Sequence, residues 1–273
     1  MRKKEWLVSE ENHQSRIDDF AYQHQITKKA LKDIKMKGDI LVNGKHQSVR
    51  YLLQAGDIVT FIYPSETNHI QPIFIPLKIV YEDDFLLVID KQSGLPCIPT
   101  RSHPTYTLAN GLSYYYQQIG LQSTIHLVNR LDKDTSGLMI VAKYRDIHDC
   151  MCKDITHIKR IYRAHVLGVG LTSGTISLPI YREGYQIKRM IDERGQKAIT
   201  HYRCLSDDHD NSFIEFCLET GRTHQIRVHM ASINHPLVGD VIYGDKEGIF
   251  DLDSVKVCFE HPITHQYICI EKK

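Results

Sequence analysis

The sequence contains no run of about 18 uninterrupted apolar residues, the length a helical membrane span requires. A helix-spanning membrane protein is therefore not expected. Residues 1–6, Met-Arg-Lys-Lys-Glu-Trp, lack the apolar core of a signal peptide, so the chain is expected to stay in the cytoplasm. Its seven cysteines are odd in number and show no disulfide-framework spacing. That usage fits a reducing compartment better than a secreted scaffold, with most of the thiols expected as small buried apolar groups. The formal net charge is only +1, without the overall basic excess that nucleic-acid binders often carry. No internal repeat or low-complexity tract is evident. Among 16 histidines, the nearest approach to a metal cluster is His148, Cys150, Cys152 and His157. Its spacing is wrong for a Cys-x-x-Cys knuckle, and no metal is expected there.

What is present fits a folded globular protein: 42% apolar and 25% charged residues over 273 positions, enough for two unequal domains. The distribution of charge is more informative than its sum. Across residues 27–50 seven basic residues (Lys28, Lys29, Lys32, Lys35, Lys37, Lys45, Arg50) face two acidic ones, Asp33 and Asp39, a local excess of five. Such a patch can follow a phosphate backbone, although a solvated helix face explains it equally well. Thr27 is placed to cap a helix whose Ala30, Leu31, Ile34 and Met36 turn inward while the lysines project outward, and Gly38 ends it. Ile40-Leu41-Val42 reads as a strand, Asn43-Gly44 as a hairpin turn, and Gly56-Asp57 as the turn into a strand over residues 58–61.

The order of a lysine-rich helix, G-D-I-L-V-N-G-K (38–45) and A-G-D-I-V-T-F (55–61) resembles the small RNA-binding domain first named from a ribosomal protein of the small subunit. The likeness covers roughly residues 15–63. It implies that Lys28, Lys29, Lys32, Lys35 and Lys45 grip structured RNA. Residues 64–76 are polar and carry three prolines, which predicts an exposed linker between a small domain (1–63) and a larger one (77–273). In the larger part, residues 79–81 and 85–89 flank the turn 82–84. Further apolar strands are expected at 138–142, 161–168 and 213–219, with a helix over 107–119. Helices and strands that mix without strict alternation indicate an α+β fold.

The most unusual local string is V-N-R-L-D-K-D-T-S-G-L-M-I-V-A-K (128–143), a charged turn between apolar segments. Asp134, Thr135, Ser136 and Gly137 are turn formers that shape a loop and leave Asp132 free to point elsewhere. On local chemistry alone this is a turn flanked by an Arg–Asp pair. An aspartic-protease reading of D-T-S-G fails, because that chemistry pairs two carboxylates and the motif occurs once, interrupted by a serine.

The string R-L-D-K-D-T-S-G-L-M-I-V-A-K closely resembles the signature of the RluA family of pseudouridine synthases. Three further segments join it in family order: residues 77–91, R-I-Y-R-A-H-V-L-G (160–168), and E-T-G-R-T-H-Q-I-R-V-H-M-A-S-I-N-H-P-L-V-G-D-V-I-Y-G (219–244). The resemblance spans roughly residues 77–268. It implies a mixed, largely antiparallel sheet around a central cleft and an enzyme that detaches uracil from ribose, turns it and rejoins it through a ring carbon, without a cofactor. Asp132 is then the carboxylate beside the anomeric carbon, either adding to the sugar or assisting its deprotonation to a glycal. A carboxylate in a water-poor pocket tends to take up a proton unless a cation holds it ionised, and Arg227 is the candidate cation.

Arg227 falls in a segment, 223–234, that reads as a helix capped by Thr223, with Ile226, Met230 and Ile233 on one face. Arg222 and His224 near its start suit an anion or the substrate. Tyr162 matches the family's aromatic hydroxyl, which stacks on the turned base and accepts a proton. Arg130 is expected to wedge into the space left by a flipped uridine, the adjoining Leu131 to contact the substrate, and Leu237 to pack around the base. Asn129 stands where the family usually has His, and residues 91–99 depart from the common pattern, which bears on RNA choice. The expected partner is RNA, large-subunit ribosomal RNA first and transfer RNA second, acted on by a monomer. The competing reading is a non-catalytic RNA-binding or ribosome-assembly protein that keeps the fold. A uracil-releasing hydrolase would need a second carboxylate to activate water.

Overall fold

The computed structural model describes residues 2–244 and 247–272. The chain divides into two units, Met1–His69 with Tyr116–Thr124, and Ile70–Tyr115 with Ile125–Lys273.

The first unit holds strand β1 (Lys3–Leu7), helices α1 (Ile17–Gln23) and α2 (Lys28–Lys37), and strands β2 (Asp39–Val42), β3 (Lys45–His46) and β4 (Ile58–Ile62). The strands form one sheet in the order β1-β4-β2-β3, antiparallel throughout. Thr27 caps α2, its hydroxyl accepting the Ala30 N–H at 3.1 Å, and Gly38 closes the helix. Ala30, Leu31 and Ile34 are buried as the periodicity requires, but Met36 is 70% exposed, one position off the inward face. Asn43 and Gly44 both take positive φ, 48° and 78°, as a two-residue turn that matches strand twist demands. Asp57 ties this turn to the next, accepting from Asn43 Nδ2 (2.7 Å) and the Gln54 N–H (2.8 Å). Ahead of the 15–63 core, the expected small domain adds strand β1. In β1 only Lys4 and Trp6 alternate inward, too little pattern to announce a strand, yet it pairs with β4 along its whole length, and Trp6 packs edge-on against Phe61.

The second unit runs β5 (Lys78–Glu82), β6 (Leu86–Lys91), α3 (Leu108–Gln118, whose last turn belongs to the first unit), β7 (His126–Leu127), β8 (Ser136–Ala142), α4 (Arg145–Cys152), β9 (Lys159–Leu167), β10 (Ser173–Ser177), β11 (Ile180–Tyr181), β12 (Met190–Ile191), β13 (Ile199–Asp208), β14 (Asn211–Leu218), α5 (Gln225–Ser232), β15 (Asp253–Glu260) and β16 (Tyr267–Glu271). Its main sheet has the order β10-β13-β14-β9-β15-β8-β6-β5, with β16 on β15 and β7 on β8. Every pairing is antiparallel except β8 with β15, so the fold is α+β with a mixed, mainly antiparallel sheet. The parallel pairing is tight: Gly137 has φ 107°, and a Cβ there would lie 2.3 Å from the Ser254 carbonyl oxygen, which excludes any larger residue. Leu86, Val88, Leu138, Ile140, Val257 and Phe259 build one core across β6, β8 and β15.

Three expectations are corrected in this unit. Residues 70–76 are not a free spacer: Asn110 Nδ2 donates to the Gln71 carbonyl (2.8 Å), the Ser113 hydroxyl to the Ile70 carbonyl (2.7 Å), and Ile75 is buried. Helix α5 starts later than expected, after His224 in the left-handed conformation (φ 58°), and Thr223 does not cap it. No side chain caps it; Gln225 Oε1 instead orders the turn before the helix, accepting from the Thr220 hydroxyl (2.8 Å) and the Arg222 N–H (2.9 Å). The cysteines are mostly not buried free thiols: only Cys97 and Cys258 are buried, and Cys258 is joined to Cys269 in a disulfide. The two stand opposite one another on β15 and β16, a coincidence of register that an eleven-residue separation does not reveal.

Candidate active site

Asp132 lies in the loop between β7 and β8, and that loop is held by its own backbone carbonyls. Cys97 Sγ donates to the Leu131 carbonyl (3.0 Å) and the Ser93 hydroxyl to that of Asp134 (2.6 Å). Lys91, 1% exposed, directs all three ammonium donors to the carbonyls of Gln92 (2.9 Å), Leu95 (2.9 Å) and Lys133 (3.0 Å). At the loop's ends, Asn129 Oδ1 accepts the Ile140 N–H (2.8 Å), and the Ser136 hydroxyl donates to Asp253 (2.7 Å). The side chain of Asp132 takes part in none of these bonds and is a quarter exposed.

Across from this loop stands α5. All residues from Gln225 to Met230 are buried, so this is an interior helix and not a basic surface helix. Ile226 and Met230 are buried as expected, whereas Ile233 lies beyond the helix end and is only partly covered. Arg227 is forked onto a carboxylate that sequence reasoning left without a role: Nε and Nη2 donate to the two oxygens of Asp240 at 2.7 and 2.6 Å. The remaining corner of the guanidinium, Nη1, is 4.0 Å from Asp132 Oδ2. The rings of Tyr243 and Phe250 lie against the same guanidinium, 5.3 and 5.1 Å from it.

Tyr162 sits near the middle of the sheet on β9, paired in register with Ser254 of β15, and is 5% exposed. Burial, with the negative charge of Asp132 adding to it, pushes its hydroxyl above the usual tyrosine range; Arg160 and a hydrogen bond with Ser254 only partly offset this. Arg160 is also buried, tied to the carbonyls of Ile158, Leu218 and Glu219 at 3.2 Å each.

Asp132, Tyr162 and Arg227 together line one cavity of about 670 Å³. Arg130, Leu131, Arg222 and His224 line it too, with Arg130 and Arg222 exposed and Leu131 buried. Leu237 does not: it is fully buried and bridges Val166 of β9, which makes it a packing residue. The five lysines expected to meet RNA are on the first unit and all are exposed. The residues missed by sequence reading, Lys91, Asp240 and Tyr243, act on other protein groups. A buried arginine needs compensating partners, but they can be carbonyls, as for Arg160, or a carboxylate, as for Arg227, and spacing does not mark Asp240 as that partner.

Residues 85–232 match the family described as RNA pseudouridylate synthase. The RNA pseudouridine synthase YjbO of Bacillus subtilis is 41% identical over 262 residues, covering 92% of each chain. The ribosomal large subunit pseudouridine synthase D of Pseudomonas aeruginosa is 45% identical over 175 residues, 63% of this chain and 55% of that one. The structure of human RNA pseudouridylate synthase domain containing 1 shares the fold, with a TM-score of 0.59 at 23% identity over 72% of this chain and 83% of the other. With a relative this similar along nearly its whole length, the chain belongs to the RNA pseudouridylate synthases, enzymes that isomerise uridine to pseudouridine.

Proposed function

We propose that the chain modifies large-subunit ribosomal RNA and that Asp132 is its catalytic carboxylate. The observation that carries this reading is the convergence of Asp132, Tyr162 and Arg227 on one cavity, with Arg227 Nη1 4.0 Å from Asp132. The Pseudomonas relative, named as a large-subunit enzyme, supports the choice of RNA.

The reaction breaks the bond from the anomeric carbon to the base nitrogen and makes one from the same carbon to a base carbon. Asp132 acts at the sugar, by adding to the anomeric carbon or by drawing a proton from the neighbouring carbon. Arg227 presents a fixed positive corner beside it, and because Asp240 holds the other two nitrogens that corner needs no reorganisation during the reaction. Tyr162, its hydroxyl protonated at neutral pH, stacks on the turned base and hydrogen-bonds to it; any proton it accepts from the ring carbon is matched by one it passes on. Arg130, exposed at the rim, fills the gap left by the extruded nucleotide. The lysine face of α2 and Lys45 follow the phosphate backbone.

Unmodified large-subunit ribosomal RNA and transfer RNA are each incubated with the wild-type protein and with Asp132→Asn, and pseudouridine is mapped. Pseudouridine at discrete large-subunit positions, absent with the variant, is expected. Product only in transfer RNA would replace the substrate assignment. An active Asp132→Asn variant would remove the assigned carboxylate.

A further inference from the structure

His224, at the cavity wall, is hydrogen-bonded to Tyr243, and the other partner of the Tyr243 hydroxyl bears on where the proton between them sits. The backbone N–H of Arg189, at the end of the loop joining β11 to β12, donates to the Tyr243 hydroxyl oxygen at 2.7 Å. The Tyr243 hydroxyl, so occupied as an acceptor, has its own proton to place, and the ring nitrogen Nδ1 of His224 is 2.9 Å away. An O–H donating to Nδ1 requires a lone pair there, which leaves the imidazole's one proton on Nε2. Tyr243 is itself held in place: its backbone N–H donates to Asp240 Oδ1 (3.1 Å), and its ring centre is 5.3 Å from the guanidinium of Arg227 and 5.6 Å from the ammonium of Lys188. Asp240 therefore sets both Arg227 and Tyr243. His224 lines the same cavity as Asp132 and is only partly exposed.

We propose that Tyr243 is a positioning residue whose hydroxyl locks His224 with its proton on Nε2, aiming an uncharged N–H donor into the cavity at an oxygen of the target nucleotide. Burial lowers the imidazole pKa, as do the charges of Arg227 and Arg189, against the opposing pull of Asp132 and Asp240. The ring is thus neutral at neutral pH, and its second nitrogen is a donor without adding a third cation beside Arg227 and Arg189. The donor role at the nucleotide rests on the proposed function; the proton's location does not.

The test has a spectroscopic arm and a kinetic arm. In protein labelled with ¹⁵N-histidine, with His224 assigned by the signals that vanish in His224→Gln, the wild type is expected to show an unprotonated Nδ1 and a protonated Nε2. Tyr243→Phe is expected to disturb that pattern. A proton on Nδ1 in the wild type, or the same pattern in Tyr243→Phe, overturns the proposal, and neither reading needs RNA. In the kinetic arm His224 is replaced by Gln, whose amide nitrogen lies where Nε2 does, and by Asn, whose amide nitrogen lies where Nδ1 does. His224 has positive φ, which Asn tolerates better than Gln. A residue serving only the turn predicts Asn above Gln; the proposal predicts Gln above Asn by about tenfold, the effect of one well-placed hydrogen bond. Tyr243→Phe is expected to slow single-turnover isomerisation at saturating enzyme about tenfold while leaving RNA affinity, which phosphate interactions dominate, nearly unchanged. Weakened affinity with an unchanged saturating rate would reduce Tyr243 to a support of the β11–β12 loop and sink the proposal. A wild-type protein that makes no pseudouridine would defeat the proposed function, while the ¹⁵N pattern would still decide where Tyr243 puts the proton.

Discussion

Asp240 holds two residues about the candidate site, Arg227 and Tyr243, without itself lining the cavity. It has no exposed surface, and burial alone would push its carboxyl up. The hydrogen bonds and charge of Arg227, with the N–H groups of Ile242 and Tyr243, outweigh this and hold the carboxyl below its usual range. A carboxyl depressed by folding contributes stability that is present above its unfolded pKa and is lost as pH falls through the folded one. Asp240→Ala leaves the buried Arg227 with only Asp132, 4.0 Å away, as an anionic neighbour and is expected to cost up to about 3–5 kcal/mol at pH 7. Urea unfolding across pH should show the gap between wild type and variant narrowing on acidification below the usual carboxylate range; a constant gap would mean that the ion pair is not its source. Asp132, Tyr162 and Arg227 were legible because motif strings single them out. Asp240 and Tyr243 lie in one of the same strings, but their importance depends on facing Arg227 and His224, a relation set by the fold and not by spacing.

Elements marked by a continuous apolar run or by one apolar face were legible, and those whose burial does not follow their composition were not. The apolar runs of β6 and β8 and the capped helix α2 announce themselves. Strand β13 exposes most of its outer half and was not among the expected strands, whereas α5 is buried on every side although its sequence suggests an amphipathic helix. The segment at residues 91–97 was legible only as a departure from a family pattern, yet Lys91, Ser93 and Cys97 together clamp the loop that carries Asp132. Lys91→Met keeps the unbranched stem as far as Cε and removes the ammonium with its three donors. It is expected to lower stability by about 1–3 kcal/mol, from carbonyls left without partners. It should also reduce the saturating single-turnover rate far more than RNA affinity, because a loosened loop misplaces Asp132 without touching the phosphate-binding groups. Equal reductions in rate and affinity would argue that Lys91 meets RNA directly.

For the molecule as a whole, a net charge of +1 conceals a strongly polarised first unit, and only the polarisation bears on binding. The exposed Lys28, Lys29, Lys32 and Lys35 stand on an α2 whose inward face and Thr27 cap are independent of them, so the four can be changed to Gln without unseating the helix. Removing one lysine–phosphate interaction is expected to reduce the slope of log affinity against log salt by about 0.7–0.9, so the quadruple variant should flatten it by up to about 3.6. Binding should weaken most at low salt. The saturating single-turnover rate should persist, since the cavity residues all belong to the second unit. A slope identical to wild type would return the lysine face to a solvated surface and leave RNA capture to the second unit. A flattened slope with an unchanged rate would separate the work of the two units: electrostatic holding of RNA by the first, and isomerisation by the second.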